Sequence, residues 1–468
     1  MKRLIPVLLA ATALSGCAIG PTYHRPDAPV EQHFTASDGW TPATPADAVT
    51  KGAWWSVYND AVLDGLEQKV AINNQNVAAA EAVVRQTQAT VSEDRAALWP
   101  TLGLTFGASR AGGGPNTTGT TTSGNRFSAG LDAEWSLDIW GKVRREIEQA
   151  KANTDASKAD LANAVLSAQA TLAIAYFDLR AAEAEQQMLQ TTVDNDTKAL
   201  NLTQNQYKAG VAQRSDVLQA QSQLATTQAS LADLTLTRGQ YLHAIAVLIG
   251  TTPDQVDVAT GPLATVVPVV PTGMPSQLLQ RRPDIASSER AVAAANAAVG
   301  IAETAFFPTL NLSATDTGSA STLSKLFSAH NSTWSIGADV ADTLLEFGAR
   351  SAAVKGARAG YDQAVAKYRE TVLEAFQGTE DNLLALRVLE GEQGLREQAE
   401  QEARQAEQIE LNNYKAGTVA YSSVITAQNT TLTAMISTLN VRKSRLEASV
   451  TLIEDLGGGW DDGDLKKK

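Results

Sequence analysis

Four short segments of the chain alternate between apolar and polar residues, which is the period of a β-strand. The first pair covers about 101–109 and 127–139, and the second covers about 309–316 and 333–341. Each segment has one apolar face and one face of Ser, Thr, Asn, Asp, Glu or Gly. About ten residues of this pattern are typical of a membrane-spanning strand, although a half-buried soluble hairpin has the same period.

Aromatic residues gather near the ends of these segments. In membrane strands such residues form belts at the two membrane–water interfaces, so their position favours the membrane alternative. The residues are Trp99, Trp135, Trp140, Phe306, Phe307 and Trp334.

Carboxylates lie among the polar positions of the predicted strands. Since alternate residues of a strand share one face, a two-residue spacing is explained better by a water-filled lumen than by a catalytic pair. The predicted lumen residues are Asp132, Glu134, Asp138 and Asp339.

A very long helix is predicted over about 142–208, where neither Pro nor Gly occurs. At 1.5 Å per residue it would be roughly 100 Å long. Apolar residues between Leu161 and Ala182 recur at spacings of four and three, which predicts a narrow coiled-coil stripe. The counterpart over about 349–415 contains five glycines, so we expect it to be interrupted there.

The chain is duplicated. The tetrapeptide YKAG occurs at 207–210 and again at 414–417, and Gly141 and Gly348 are also 207 residues apart. The sequence WPTL from Trp99 matches FPTL from Phe307 at an offset of 208. The predicted organisation is a targeting segment 1–16, an N-terminal segment 17–53, a first copy 54–250, a connecting segment 251–275, a second copy 276–456 and a tail 457–468.

Each YKAG is predicted to be the turn of a helical hairpin. Gly210 and Gly417 can adopt the left-handed conformation that ends a helix. Ser215 and Ser422 are predicted to cap the returning helices. The predicted turn residues are Tyr207, Lys208, Ala209, Gly210, Tyr414, Lys415, Ala416 and Gly417.

Composition and charge narrow the function. The chain of 468 residues carries a net charge of −13, so we expect no nucleic-acid partner. Four histidines without ligand spacing and a single cysteine predict no metal site and no cofactor, and we expect the protein not to be an enzyme. Cys17 ends the sequence Leu-Ser-Gly-Cys after a charged and apolar start, which resembles the bacterial lipobox and implies lipidation of Cys17.

Four strands cannot close a barrel, and an open sheet edge cannot lie in lipid. Single-chain barrels begin at eight strands. If these strands span a membrane, several copies must close the barrel together, and strand number alone permits two, three or four copies.

The whole pattern resembles the TolC-like outer membrane efflux proteins, in the lipidated NodT-type subgroup. The motifs that carry the resemblance are GPTY from Gly20, WSLDIWG from Trp135, LLQRRPDI from Leu278 and FFPTL from Phe306. The resemblance implies a mainly α fold with a transmembrane β part, in a homotrimer. Four strands per chain would form a trimeric 12-stranded β-barrel, continued by a long α-helical barrel in the periplasm.

The resemblance also implies a function. The trimer would be the outer membrane exit duct of a tripartite pump, with a periplasmic adaptor docked at the hairpin turns. An inner membrane transporter of the resistance-nodulation-division type would supply the energy. Export of proteins by a type I route is an alternative, and a periplasmic lipoprotein that serves only as a coiled-coil spacer is another.

The aperture is expected just beyond the hairpin turns. Family members often carry aspartates six or nine residues after the second glycine, where this chain has Ser423 and Thr426. Asp216 occupies the six-residue position in the first copy. Whether Asp216 or a ring of Tyr421 forms the constriction stays open, as do the simpler roles of a helix-terminal carboxylate and a packing tyrosine.

Overall fold

The computed structural model describes residues 18–29, 53–112, 124–268 and 281–460. The predicted targeting segment, Cys17, most of the N-terminal segment, the end of the connecting segment and the last eight residues of the tail lie outside the described residues.

The described elements follow the same order in both copies, which agrees with the duplication, except that the first copy has one more described helix before its strands. After a short 3-10 turn at Trp54–Tyr58, the first copy has α1 (Ala61–Asn73), α2 (Gln75–Ala96), β1 (Thr101–Ala111), β2 (Gly124–Leu137), α3 (Lys142–Lys208) and α4 (Arg214–Leu248). The second copy has α5 (Pro283–Thr304), β3 (Thr309–Ala320), β4 (Ser332–Ala341), α6 (Ala349–Lys415) and α7 (Tyr421–Asp455).

The expected interruption of the second long helix is wrong. Helix α6 runs through all five glycines without a break. A glycine in a helix costs about 1 kcal/mol relative to alanine, but buried contacts decide helix stability in a folded protein. Around Gly378 these contacts are strong, because Val372, Ala375 and Leu383 are fully buried. A Cβ at Gly378 would lie only 3.0 Å from Oδ2 of Asp455, so at this position the small residue makes room for a neighbour.

The chain divides into two compact units, and the first unit holds the sheet. It consists of residues 1–27, 83–157 and 287–368, as far as they are described. The four strands pair in the order β1-β2-β3-β4, and every pair is antiparallel.

The register aligns the polar faces of all four strands and also their apolar faces, where Asp316 of β3 is a polar exception between Leu131 and Trp334. Gly103 lies opposite Asp132, Asp132 opposite Thr315, and Thr315 opposite Ser335. Residues directly opposite one another share a face, so this row is polar throughout. The polar positions that the sequence predicts for each strand separately therefore lie together on one face of the sheet.

The second unit contains most of the helical length. It consists of residues 28–82, 158–286 and 369–468, as far as they are described. Leu172 and Leu179 of the predicted stripe on α3 are fully buried, and Ala182 is also buried. The ring of Phe177 packs edge-to-face against Tyr58 with centroids 5.0 Å apart.

Arg282 of the LLQRRPDI motif fastens the start of α5 in this unit. Its guanidinium donates to Oδ2 of Asp284 at 2.8 Å and to Oδ1 of Asp455 at 2.9 Å. Burial raises the pKa of Asp455, and the positive charge of Arg282 opposes that shift. The motif thus joins the beginning of the second copy to the end of α7.

Candidate functional site

The apolar face of the sheet is exposed. Soluble proteins rarely expose an apolar surface of this extent, whereas a strand in lipid requires one. A half-buried soluble hairpin would cover this face, so the exposure favours contact with lipid. The large exposed side chains of this face are Leu102, Leu104, Phe106, Leu131, Trp334, Ile336 and Val340.

The polar face carries three of the four predicted lumen carboxylates. Asp132 lies opposite Gly103, and a Cβ at Gly103 would collide with its carboxylate. Asn311 donates from Nδ2 to Oδ2 of Asp339 at 3.3 Å. Glu134 is exposed on the same face. These three acidic side chains give the face a negative charge, and their role in a lumen stays a prediction.

Asp138 has a different place from the one predicted. Strand β2 ends at Leu137, and Asp138 lies between the strand and α3. Its carboxylate accepts from the backbone N–H of Val143 at 3.0 Å and of Arg144 at 3.1 Å, and it also pairs with the Arg144 guanidinium. Asp138 therefore satisfies the free N–H groups at the start of α3 and does not extend the polar row of the strand.

A pair of aromatic rings lies where β2 passes into α3. The indole of Trp140 stacks on the ring of Phe307 with centroids 4.8 Å apart. Its Nε1–H donates to the carbonyl of Pro308 at 2.7 Å. The predicted interfacial aromatics of the two copies are therefore in direct contact at one end of the sheet.

The start of the described chain binds to the same end. The N–H of Ile19 donates to the carbonyl of Trp140 at 3.1 Å, and Arg145 donates to the carbonyls of Ile19 and Gly20, each at 3.0 Å. A Cβ at Gly141 would lie 2.7 Å from Cα of Ala18, so the two backbones are close. The sequence did not predict this role of Arg145. The only sequence signal for it is its position shortly after the WSLDIWG motif.

Both YKAG sequences end a helix as predicted. Gly210 and Gly417 have φ of 77° and 75°, in the left-handed region. Their N–H groups donate to the carbonyls of Tyr207 and Tyr414 at 3.0 and 2.9 Å. The two turns thus share one backbone geometry, which requires a residue without a Cβ.

The predicted caps of the returning helices are wrong. Gln213 and Ala420 occupy the two N-cap positions, and Ser215 and Ser422 already lie in the first turn of α4 and α7. The helices begin earlier because the connections are only a few residues long. In α4 the cap contact comes instead from Asp216, whose Oδ2 accepts from the N–H of Gln213 at 3.1 Å.

The two tyrosines of the turn sequences differ. Tyr207 is 46% exposed, whereas Tyr414 is 6% exposed. The hydroxyl of Tyr414 donates to Oε1 of Gln206 at 2.6 Å and lies 3.2 Å from Oγ1 of Thr203. The second hairpin turn is therefore attached to the end of α3, and the first has no equivalent contact through Tyr207 among the described residues.

Tyr421 packs in the interior of this chain, and a role at the aperture stays a prediction. It is 1% exposed, and its ring lies 5.2 Å from that of Tyr414. Burial, the carboxyl of Asp196 and the hydroxyl of Tyr414 together raise the pKa of Tyr421 to about 12. We call the buried group around it the tip cluster, which consists of Ala199, Ala220, Tyr414, Tyr421 and Val424.

The other aperture candidates are more accessible. Asp216 and Ser423 are half-buried, and Thr426 is exposed. The hydroxyl of Thr426 donates to the carbonyl of Ser422 at 3.0 Å. Thr426 also lines an open groove of about 540 Å³ together with Arg396 and Asn429. Whether any of them narrows an aperture stays a prediction.

One further contact between α4 and α7 was missed by sequence reasoning. The side-chain amides of Gln223 and Asn429 bond reciprocally, with Nε2 of Gln223 3.0 Å from Oδ1 of Asn429. The offset of the repeat could have predicted this contact, because Gln223 and Asn429 are 206 residues apart and so lie at nearly equivalent positions of the duplicated unit.

The described residues contain neither a metal-ligand cluster nor a helix that could span a membrane. In the ranges that the structure describes, no three His, Cys, Asp or Glu side chains come together as metal ligands. None of the helices in the described part of the chain has an apolar stretch sufficient to cross a bilayer.

The family model described as "Outer membrane efflux protein" matches the chain over residues 66–251 and again over 274–458. The pyoverdine export outer membrane protein OpmQ of Pseudomonas aeruginosa is 31% identical, with 98% of this chain and 97% of that protein covered. The cation efflux system protein CusC of Escherichia coli K12 is 28% identical, with 98% and 99% covered.

Solved structures show the same fold. The outer-membrane channel OprN has a TM-score of 0.85 at 28% identity, with 95% of this chain and 100% of that chain covered. The MtrE outer membrane channel of Neisseria gonorrhoeae, in its open state, has a TM-score of 0.83 at 26% identity, with 95% and 99% covered. These similarities confirm the predicted fold class, a duplicated and mainly α chain that contributes four strands to an outer membrane protein.

Proposed function

This chain belongs to the outer membrane efflux protein family, and we propose that three copies of it form the exit duct of a tripartite pump. The copies would contribute four strands each to a 12-stranded barrel in the outer membrane. The long helices would continue it as a helical duct in the periplasm. The observation that carries this proposal is the four-stranded sheet, which has an exposed apolar face and, within the described part of the chain, an unpaired edge strand on each side.

The edge strands require partners. In lipid, every unpaired backbone N–H and C=O group costs several kcal/mol, so neither β1 nor β4 can remain an edge there. Because strands alternate in direction, β1 and β4 are antiparallel to each other. Placing β4 of one copy beside β1 of the next therefore continues the antiparallel order around a closed barrel.

The duct would be passive. Its energy would come from an inner membrane transporter of the resistance-nodulation-division type, coupled through a periplasmic adaptor. The hairpin turns support this arrangement, since Tyr207, Lys208 and Lys415 are exposed and free to meet an adaptor. Mutating exposed turn residues should therefore weaken copurification with an adaptor and leave the trimer intact.

The cargo would be small molecules. The names of similar proteins refer to pyoverdine export, to toluene efflux and to cation efflux. These names support small solutes over secreted proteins as cargo. Specificity for one solute would reside in the inner membrane transporter.

A lipid anchor on Cys17 would hold the chain at the membrane surface. Cys17 directly precedes Ala18, and consecutive Cα atoms are about 3.8 Å apart. Ala18 and Ile19 lie against Gly141 and Trp140, beside the interfacial aromatic rings. An acyl chain on the preceding residue would therefore begin close to the lipid interface. Replacing Cys17 by serine should abolish incorporation of labelled palmitate.

One experiment separates a duct from a spacer lipoprotein. The full-length protein is extracted from membranes in mild detergent, run on gels with and without heating, and added to planar bilayers. A duct predicts an oligomer that survives until heating and step-like ion conductance. A monomeric species with no conductance would support the spacer and overturn the proposal.

A further inference from the structure

We propose that β4 of one copy pairs with β1 of its neighbour in one defined register, with Ala338 opposite Ala108 and Val340 opposite Phe106. The inference rests on the proposed trimer. It concerns which residues meet at the interface between copies, and its basis is the internal duplication.

The two hairpins inside the chain obey the duplication residue for residue. In the first, Thr101 of β1 lies opposite Glu134 of β2. In the second, Thr309 of β3 lies opposite Ala341 of β4. The shift is 208 residues from β1 to β3 and 207 from β2 to β4, which are the offsets of the sequence repeat. The strands are thus structurally equivalent and not merely similar in sequence.

The pairing between the hairpins supplies the register for the interface. Leu131 of β2 lies opposite Asp316 of β3, and Ala133 lies opposite Ala314. The same two offsets carry Leu131 to Ala338 and Asp316 to Ala108, and they carry Ala133 to Val340 and Ala314 to Phe106. If the pairing of β4 with the neighbouring β1 is equivalent to that of β2 with β3, this register follows.

Side-chain chemistry supports the register on both faces. A slip by one residue would turn the apolar side chains of a strand to the polar face, so only even slips are possible. The proposed register also sets Asp339 opposite Gly107 of the neighbour. Within the chain, Asp132 faces Gly103, where a side chain would collide with the carboxylate. An aspartate facing a glycine on the polar face would thus recur at the interface.

The exposed aromatic residues near the ends of β1 and β4 agree with the proposed register. Trp140 and Phe307 form the stacked pair between β2 and β3, and their equivalents are Phe347 and Trp99. Phe347 is 93% exposed and Trp99 is 72% exposed. The register brings Phe347 of one copy near Trp99 of the next. The φ of Phe347 is 53°, in the left-handed region unlike that of Trp140, so we assign the proximity of these rings and not their stacking.

Disulfide trapping tests the register in the full-length protein. Ala338→Cys is combined in turn with Ala108→Cys, Phe106→Cys or Arg110→Cys, and membranes are oxidised before denaturing electrophoresis. A disulfide needs Cα atoms closer than about 7 Å, and a slip of two residues moves the strand by about 6.6 Å. We expect the pair with Ala108 to give cross-linked dimers and trimers at least about tenfold more efficiently than the other two pairs.

Each outcome decides a different claim. Cross-linking that is strongest with Phe106 or Arg110 would overturn the register and leave the trimer standing. A monomer in every sample, including unheated wild type, would overturn the proposed assembly itself. Single-cysteine variants show whether Cys17 contributes any band. Should the Ala338 variants not assemble, the same test is made on an adjacent pair. Val340→Cys is combined in turn with Phe106→Cys, Leu104→Cys or Ala108→Cys, and the proposed register predicts the strongest cross-linking with Phe106→Cys.

Discussion

The hydroxyl of Tyr414 donates a 2.6 Å hydrogen bond to Oε1 of Gln206, and so attaches the second hairpin turn to the end of α3. The equivalent Tyr207, in the identical tetrapeptide, is about half exposed. The same tetrapeptide therefore places its tyrosine in two different environments. One tyrosine holds the turns together, and the other is available at the surface.

Replacing Tyr414 by phenylalanine should loosen the turns. The change leaves Gln206 and Thr203 without this partner, and a lost hydrogen bond of this kind costs about 1 kcal/mol. Amide hydrogen exchange around residues 411–425 should become roughly fivefold faster. Tyr207→Phe is the matched control and should change little. Equal effects of the two variants would show that the Tyr414 contact does not hold the turn.

Two substitutions at Asp216 separate its possible roles. Asp216→Asn removes the charge but keeps an acceptor for the N–H of Gln213, whereas Asp216→Ala removes both. If the negative charge of Asp216 lies at the aperture, it favours the passage of cations over anions, and both variants should lower this preference in single-channel recordings in bilayers. Loss of the cap alone predicts unchanged selectivity in both and a helix end destabilised by about 1 kcal/mol in the alanine variant only. Unchanged selectivity in Asp216→Asn would remove Asp216 from the candidates.

Gly103→Ala should impair the sheet. A Cβ there would collide with the carboxylate of Asp132, and overpacking of this kind typically costs about 1–3 kcal/mol. The yield of heat-resistant oligomer should fall, and Asp132→Ser in the same chain should restore part of it. Gly337→Ala is the control, because its Cβ would lie 3.2 Å from a single hydroxyl oxygen of Ser313. Failure of Asp132→Ser to restore assembly would place the clash elsewhere.

Glu67 on α1 should make the helical part more stable at low pH than at high pH. Its side chain is fully buried, and neither carboxylate oxygen has a hydrogen-bond partner among the residues that the structure describes. Burial, and secondarily the charge of Asp64, raise the pKa of Glu67 to about 9 from an ordinary value of 4.5. The folded chain therefore binds more protons than the unfolded chain between these two values, and stability falls as pH rises through this window.

The slope should be at most about 1.4 kcal/mol per pH unit. Glu67→Gln removes the ionisation, so its free energy of unfolding should depend less on pH between 6 and 8 than that of the wild type. The free energy of unfolding of each protein is measured by denaturant unfolding, followed by the circular dichroism of the helices. Glu402→Gln, at an exposed position of α6, is the control. A wild type with flat stability over this range would show that Glu67 is charged or solvated in the folded protein.

The strands and hairpin turns were predictable because their signals are local. Alternation over ten residues fixes which face of a strand is apolar, and a glycine after a long helix fixes where that helix ends. The continuous α6 was not predictable, since the cost of its glycines is local but the packing that outweighs it involves α7. The caps at Gln213 and Ala420 were missed because short connections leave little room before the next helix.

The sequence by itself determined the duplication, the faces of the strands, the hairpin turns and the family. These follow from periodicity and from motifs that repeat at a constant offset, which no packing can alter. Only the tertiary structure decided that Tyr414 and Tyr421 are buried while Tyr207 is exposed, and that Asp138 caps α3. Such differences arise because identical residues in the two copies meet different neighbours, and burial is a property of those neighbours.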